Sequence, residues 1–189
     1  KLDKAREEEH NWFLSQEIVG IALYADGFAN DLKGVRSHVS YLQELGINML
    51  HVMPILKCPK DASDGGYAVS DFRDVASRFG ALEDVEQLAR ELRRRNMLLT
   101  LDVVVNHTSD EHVWAKRARA GEKEYEDYFY IFDNRDVPDM FEETMPEVFP
   151  ETSPGNFTYD EQMQKWVMTV FNRYQWDLNY SNPAVFIEM

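Results

Sequence analysis

The chain has 189 residues and a net charge of −14, from 20 basic and 34 acidic side chains. A hydrophobic share of 44% with 13% aromatic residues is typical of a globular chain and excludes a disordered one. The negative charge argues against nucleic acid or an anionic membrane surface as a partner, whereas a neutral ligand is compatible with it. Cys58 is the single cysteine, so no disulfide can form within the chain.

The sequence shows neither a membrane-spanning segment nor a signal peptide. No stretch of the sequence approaches the ~18 consecutive apolar residues of a membrane-spanning helix. The first residues, "KLDKAREEEHNWF", have no apolar segment of the kind that signal peptides carry, and no initiating Met. We therefore expect a cytoplasmic protein and a chain that begins inside a longer one.

The first third of the chain predicts a strand followed by a helix. Residues 1–15 are charged and predict a helix or linker. Ile18–Tyr24, "IVGIALY", is an apolar run of the kind found in strands that are covered on both faces. Asp31 can cap a helix whose apolar residues recur at helical spacing until Gly46 ends it.

The same pattern then repeats. Residues 47–54, "INMLHVMP", predict a second strand, and apolar residues at helical spacing over Leu82–Leu92 predict a second helix. Leu98–Val105, "LLTLDVVV", predicts a third strand. Buried strands that alternate with helices indicate right-handed βαβ units and a parallel sheet, so the fold class is α/β.

The alternation stops after His107. Residues 108–179 are rich in aromatic, acidic and proline residues and are too long for an ordinary loop between a strand and a helix, which predicts an inserted, irregular subdomain. A final helix is predicted to begin at Pro183, capped by Ser181 or Asn182. Three parallel strands do not close a sheet, so we expect the chain to be part of a larger domain.

Polar residues follow the predicted strands where an α/β fold places its sites. Asp64 and Tyr67 follow the second strand, where a carboxylate could bind sugar hydroxyls and an aromatic ring could stack on a sugar. His107 follows the third strand and could donate a hydrogen bond to a substrate oxygen, although a lone histidine can equally be structural. Gly65-Gly66 between them fits a plain turn as well as a close approach to a ligand.

Asp102 lies within the third predicted strand. In a regular strand Asp102 and His107 point to opposite faces, so they are not expected to act as an acid–base couple unless the strand breaks at Asn106. A buried carboxylate is costly unless it is hydrogen-bonded. We therefore interpret Asp102 as an anchor for neighbouring backbone or side chains.

Three stretches together resemble the alpha-amylase superfamily, glycoside hydrolase family 13. "LDVVVNH" resembles the family's motif at the third strand, "DGGYAVSDFRDV" its loop after the second strand, and "QWDLNYSNP" its motif near the end of the inserted domain B. The resemblance implies an incomplete (β/α)8 TIM barrel, holding the first three strands, with domain B inserted after strand 3. It implies a preceding segment over 1–15, barrel over 16–107, domain B over 108–179 and the next barrel helix from 180 to 189.

Within that family the segments are most similar to those of amylosucrases. This implies a retaining enzyme that transfers glucose from sucrose to an α-1,4-glucan and releases fructose, with the rest of the barrel completing the site. Asp64, Tyr67 and His107 would hold the transferred glucose, through hydroxyl contacts, ring stacking and a hydrogen bond to the hydroxymethyl group. Tyr174 stands where those enzymes have a phenylalanine, and the resemblance implies that it too binds substrate. The resemblance implies no cofactor and no metal, although the residue at the position of Asn106 helps to bind a structural ion in calcium-dependent members.

The carboxylate nucleophile and the acid/base of this family follow later strands than the three predicted here. We therefore expect no catalytic residue in this chain and no activity from it alone. The alternatives are a sucrose phosphorylase, or a hydrolase of α-glucans or oligosaccharides from the same family. A non-catalytic relative that acts as a binding subunit is the alternative from another class.

Overall fold

The computed structural model describes Lys4 and residues 7–189, and the chain divides into two compact units. The first contains the chain up to Ile55 together with Val75–Asp102, and the second contains Leu56–Asp74 and Val103–Met189. The segment predicted over residues 1–15 lies partly outside the described residues, and Trp12–Leu14 form a single 3-10 turn. The predicted domain boundaries stay a prediction, because the two units group residues by packing alone.

A three-stranded parallel sheet forms the centre of the first unit. Its strands are β1 (Gly20–Leu23), β2 (Met49–Val52) and β5 (Leu98–Leu101), in the spatial order β1-β2-β5. Gly20 pairs with Met49, and Met49 pairs with Leu98, so the three strands are in register along one edge. The predicted parallel sheet is confirmed.

Helices connect these strands and bury one apolar face each. Between β1 and β2 lie α1 (Ala25–Ala29), α2 (Leu32–Ser37) and α3 (Val39–Glu44), and between β2 and β5 lies α4 (Leu82–Arg94). The most deeply buried side chains of the unit come from α2, α3, α4 and β2, namely Leu32, Val35, Val39, Leu42, Leu50, Val52, Leu88 and Leu92. The apolar spacing in the sequence therefore identifies the faces that form this core.

The ends of the first helices show one confirmed prediction and one error. Asp31 caps α2 by accepting a hydrogen bond from the Gly34 N–H at 2.7 Å, as predicted. The single helix predicted up to Gly46 is wrong, because α2 and α3 are separated at His38. The hydroxyl of Ser37 donates to the Gly34 carbonyl at 2.7 Å, and the His38 ring contacts the same oxygen at 2.9 Å. These side chains occupy the carbonyl that a continuous helix would use.

The third strand is shorter than predicted, and this corrects the position of two residues. The sequence predicts a strand over Leu98–Val105, but β5 ends at Leu101. Asp102 therefore follows the strand, where its Oδ1 lies 3.0 Å from Nε2 of His51. The interpretation of Asp102 as an anchor is supported by this contact within the first unit.

The second unit contains the remaining elements of the described chain. Its strands are β3 (Leu56–Lys57), β4 (Asp71–Val75, whose last residue belongs to the first unit), β6 (His107–Ser109), β7 (Ile131–Phe132), β8 (Phe157–Asp160), β9 (Lys165–Met168) and β10 (Gln175–Asp177). Its helices are α5 (Val113–Arg119), α6 (Lys123–Glu126), α7 (Asp136–Glu142) and α8 (Pro183–Glu188). Strands β7, β9 and β8 form one antiparallel sheet, and β6 pairs with β10.

An aromatic core holds the second unit together. Trp176 is 2% exposed and meets Phe129 edge to face, with 5.3 Å between the ring centroids. Trp114 lies against Tyr128 in the same manner at 5.2 Å. Asn182 caps α8 by accepting from the Ala184 N–H at 3.0 Å, and Pro183 is its first residue, as the sequence predicts. None of the helices in the described part of the chain has the length and apolarity to cross a membrane.

Gly34 in α2 faces the backbone so closely that a side chain cannot fit. A Cβ at this position would lie 1.9 Å from the Ala29 carbonyl oxygen, whereas a Cβ on Gly27 in α1 would meet nothing nearer than 3.9 Å. We predict that Gly34→Ala lowers the free energy of unfolding by about 2 kcal/mol or more, because backbone must move. Gly27→Ala is the matched control and should be neutral or slightly stabilising. Denaturant unfolding of both variants tests this, and equal stabilities would contradict it.

His112 is a buried base that gives the second unit a pH dependence. Its Nδ1 accepts from the Trp114 N–H at 3.1 Å, and its ring packs on Phe72 and Trp114. Burial lowers the pKa of His112 from 6.5 to about 4. The unfolded chain therefore takes up a proton that the folded chain resists, so stability is lost as the pH falls from about 6.5 to about 4.

The variant His112→Asn keeps a good N-cap and removes the titrating ring. We predict that it loses less stability than the parent protein between pH 6.5 and pH 4, by up to about 3 kcal/mol. Urea unfolding at both pH values measures this, with His10→Asn at an exposed position as the control. An acid-induced loss of the same size in His112→Asn and the parent would show that His112 does not carry the effect.

Candidate functional site

Asp64 begins a tight turn that aims its carboxylate into the second unit. Asp64, Gly65 and Gly66 all have positive φ, at 49°, 66° and 104°, which glycine adopts without strain. The Tyr67 N–H donates to the Asp64 carbonyl at 3.1 Å, and the Ala68 N–H donates to Ser63 at 2.9 Å. The two glycines are therefore needed for the turn itself, and the turn places the carboxylate.

The sequence predicts His107 at the carboxyl end of a parallel strand, and this prediction is wrong. His107 is the first residue of β6, where it pairs antiparallel with Asp177 of β10. The chain leaves the parallel sheet after Leu101, so the predicted alternation of faces between Asp102 and His107 does not apply. His107 is placed instead by a strand that lies some seventy residues further along the sequence.

The environment of His107 favours the neutral ring. The residue is 4% exposed, and burial lowers its pKa below the usual 6.5. A hydrogen bond to the Tyr67 backbone and the negative charge of Asp64 act in the opposite direction without reversing the shift. His107 is therefore uncharged at neutral pH, which suits contact with a neutral ligand.

Gln175 connects the two predicted ligand-binding residues. Its side chain is fully buried, and its Nε2 donates to Oδ2 of Asp64 at 3.0 Å. The same nitrogen lies 3.0 Å from Nε2 of His107. At the other end of the amide, Oε1 accepts from the backbone N–H of Asn172 at 3.0 Å and from its Nδ2 at 2.9 Å. Every hydrogen-bonding group of this amide is thus satisfied within the second unit.

Asp177 and Asn106 support β6 and β10 at their paired ends. Asp177 is 5% exposed, and its two oxygens accept from Asn106 Nδ2 at 2.7 Å and from the Val170 N–H at 2.8 Å. Burial raises the pKa of Asp177 to about 6 despite these two hydrogen bonds. No group of three or more acidic, histidine or cysteine side chains in the described part of the chain could hold a metal ion.

Aromatic rings border this network. The Phe171 ring lies 4.9 Å from the His107 ring, and Phe149 meets Phe171 edge to face at 6.3 Å. Tyr174 also lies in this segment, where its carbonyl accepts from the Asp110 N–H at 2.8 Å. Burial raises the pKa of Tyr174, and the charge of Asp64 adds to the shift.

The structure thus brings Asp64, Tyr67 and His107 together within one unit, although their role in binding sugar stays a prediction. Tyr174 lies close enough to Asp64 for the charge of that carboxylate to raise its pKa, and it also lines a cavity of about 240 Å³ with Tyr159 and Arg119. Gln175 was not among the predicted site residues, yet it contacts two of them directly. A signal for it was present in the sequence, because Gln175 is the first residue of the motif "QWDLNYSNP".

Comparison with known proteins gives the chain its family context. A profile described as "Alpha amylase, catalytic domain" matches residues 8–189. An oligo-1,6-glucosidase of Bacillus cereus is 35% identical over 186 residues, which cover 94% of this chain and 32% of that enzyme. Palatinase of Erwinia rhapontici is 36% identical over 160 residues, covering 82% of this chain and 27% of that enzyme.

Solved structures agree with these matches. A mutant of the trehalulose synthase MutB, crystallised with its substrate sucrose, is 31% identical with a TM-score of 0.79, and the match covers 91% of this chain and 31% of that one. An isomaltulose synthase mutant from Erwinia rhapontici NX5, crystallised with D-glucose, is 28% identical, also with a TM-score of 0.79. The match covers 91% of this chain and 31% of the isomaltulose synthase chain.

This chain therefore spans about a third or less of the length of these relatives. The matched region is the N-terminal part of a catalytic barrel, which confirms the predicted fold class of an incomplete (β/α)8 barrel. The similarity to amylosucrases in particular does not emerge from these relatives, which are named as glucosidases, a palatinase and sucrose-converting synthases.

Proposed function

The chain belongs to the alpha-amylase family, glycoside hydrolase family 13, and on that basis we propose that it is part of a retaining α-glucosyl enzyme that acts on sucrose. The observation that carries the proposal is the hydrogen-bonded network of half-buried Asp64 with buried Gln175 and His107, beside Tyr67. Two hydrogen-bonding groups next to an aromatic residue match the surface of a sugar, which has hydroxyls at its edge and an apolar face.

The roles of the residues follow from their chemistry. The Asp64 carboxylate can accept hydrogen bonds from sugar hydroxyls, and these bonds are stronger than those between neutral groups. Neutral His107 can bond one further hydroxyl without attracting an ion. The Tyr67 ring can lie against the apolar face of the pyranose. These three residues would hold the glucosyl group while the rest of the barrel supplies the reacting carboxylates.

Retaining chemistry needs two carboxyl groups about 5–5.5 Å apart, one as the nucleophile and one as the acid/base. In this family both follow later barrel strands than β1, β2 and β5. The contribution of this chain is therefore binding and orientation. Binding contacts that strengthen in the transition state accelerate the reaction as well as hold the substrate.

The fate of the glucosyl group distinguishes the candidate activities. Transfer to an α-1,4-glucan with release of fructose is the activity that the motif resemblance supports. Hydrolysis or isomerisation is the second candidate, and the similarity to an oligo-1,6-glucosidase, a palatinase and sucrose-bound MutB favours it. A phosphorylase would need inorganic phosphate as the acceptor. A binding subunit without catalysis would release no product.

Product analysis of the complete protein that contains this chain tests the proposal. Incubated with sucrose, a transferase should form glucan and fructose, a hydrolase equal amounts of glucose and fructose, an isomerase a second disaccharide, and a phosphorylase glucose-1-phosphate when phosphate is added. Conversion of sucrose in any of these ways supports the α-glucosyl enzyme. The absence of every product, and of activity on α-1,4- and α-1,6-glucosides, would contradict it.

Replacement of Asp64 tests its role in holding the sugar. Asp64→Asn keeps an oxygen that can accept from Gln175 but removes the charge, so the fold should persist. We predict a fall in kcat/KM for sucrose of about 100-fold, equivalent to about 2.7 kcal/mol of lost transition-state binding. Asp61→Asn changes an exposed carboxylate of the same loop and should leave the rate unchanged. Equal rates for the two variants would remove Asp64 from the site.

A further inference from the structure

We infer that Gln175 is a positioning residue that fixes the proton of His107 on Nδ1, so that the predicted glucose-binding pair presents only acceptors to its ligand. The inference rests on the proposed function for the identity of the ligand. The orientation of the amide and the position of the His107 proton are inferred from the hydrogen bonds of Gln175 alone. None of the groups involved lies outside the second unit.

The orientation of the Gln175 amide is determined by its neighbours. Its Oε1 faces the backbone N–H of Asn172 at 3.0 Å, and a backbone N–H can only donate. If the amide were turned over, its NH₂ group would face that donor. Its oxygen would then lie 3.0 Å from Oδ2 of Asp64, which can only accept when ionised. Both contacts would be repulsive, so Nε2 is the atom that faces Asp64 and His107.

The proton of His107 follows from that orientation. Nε2 of Gln175 carries two hydrogens, one for Asp64 and one for Nε2 of His107 at 3.0 Å. The ring nitrogen that receives a donor must have a free lone pair, so in the neutral ring the hydrogen is on Nδ1. The ring can then donate to the backbone carbonyl of Tyr67, with which it forms a hydrogen bond.

Asn106 is the other amide beside the His107 ring, and its principal hydrogen bond goes elsewhere. Its Nδ2 lies 3.3 Å from Nδ1 of His107 but only 2.7 Å from Oδ1 of Asp177, to which it donates. The shorter contact to a buried carboxylate is the stronger of the two. A protonated Nδ1 of His107 therefore meets an N–H group only at the longer distance of 3.3 Å, whereas a protonated Nε2 would face the N–H of Gln175 at 3.0 Å.

The proton position determines which hydrogen-bonding groups the site presents to a ligand. The sequence suggested that His107 donates to a substrate oxygen, whereas here Nε2 offers a lone pair and Asp64 offers carboxylate oxygens. A ligand that contacts both residues must therefore supply hydrogens, as the hydroxyls of a sugar do. Because Nε2 has a single lone pair, a hydroxyl that donates to it displaces one Gln175 hydrogen, which can then donate to the oxygen of that hydroxyl while the other hydrogen stays with Asp64.

Nitrogen NMR of the histidine rings tests the proton position directly and without any ligand. The complete protein is labelled with ¹⁵N-histidine, and the spectrum of a His107→Gln variant identifies the His107 signals by their loss. We expect the Nε2 signal of His107 at the shift of an unprotonated ring nitrogen and its Nδ1 signal at that of a protonated one. The opposite assignment at pH 7 would overturn the inference, whatever sugar the protein binds.

Two substitutions of Gln175 separate positioning from packing. Gln175→Glu has nearly the same shape but puts an acceptor oxygen against Asp64 and His107, which favours the protonated His107 ring. We expect the affinity for D-glucose to fall about tenfold or more at pH 7 and to become dependent on pH between 5 and 8. Gln175→Met removes both donors without adding charge, so it should lose affinity with no new pH dependence.

The control is Gln162→Glu, the same chemical change at an exposed position of the second unit, which should leave both affinity and pH profile unchanged. Unchanged affinity and pH profile in Gln175→Glu would overturn the inference. So would an identical loss in Gln175→Glu and Gln175→Met with the parent's pH profile, because that would indicate packing alone. If the parent protein itself binds no glucose, the proposed function fails, while the NMR result still decides the role of Gln175.

Discussion

One buried amide determines the arrangement of the candidate site. Gln175 has no exposed surface, so each of its hydrogen-bonding groups must find a protein partner or cost free energy. Asn172 donates to the amide oxygen, and Asp64 and His107 accept hydrogen bonds from the amide nitrogen. Because Asp64 and His107 are distant from Gln175 in the sequence, the amide joins the Asp64 turn to β6 and β10. The two residues that would hold a sugar are thereby ordered before the sugar arrives, which lowers the entropic cost of binding.

Local patterns in the sequence were sufficient for the scaffold. The apolar spacing over Leu82–Leu92 predicts α4, whose buried face contains Leu88 and Leu92. Asp31 and Asn182 were recognisable as caps because a cap needs only a side-chain oxygen two or three residues before its donor. Alternation of strands and helices then predicted the parallel sheet. These features depend on neighbours within a few residues, and such interactions are encoded in short segments.

The site was only partly predictable, because its contacts are long-range. Asp64, Tyr67 and His107 could be selected by residue type and by family resemblance, but nothing near His107 indicates that it pairs with β10. The hydrogen bond from Gln175 to Asp64 joins residues 111 positions apart. The break at His38 was missed for another reason, since it depends on two side chains that compete for one carbonyl. A polar residue next to a large apolar one, as Gln175 is next to Trp176, is the signal that calls for a search for buried partners.

We propose that Asp64 and His107, held by Gln175, form the glucose-binding part of an α-glucosyl enzyme. A crystal structure of the complete protein with bound glucose tests it most directly. We expect a glucose ring over Tyr67, with hydroxyls within about 3 Å of the Asp64 carboxylate and of Nε2 of His107. Glucose bound elsewhere, with Asp64, Gln175 and His107 still bonded only to each other, would contradict it.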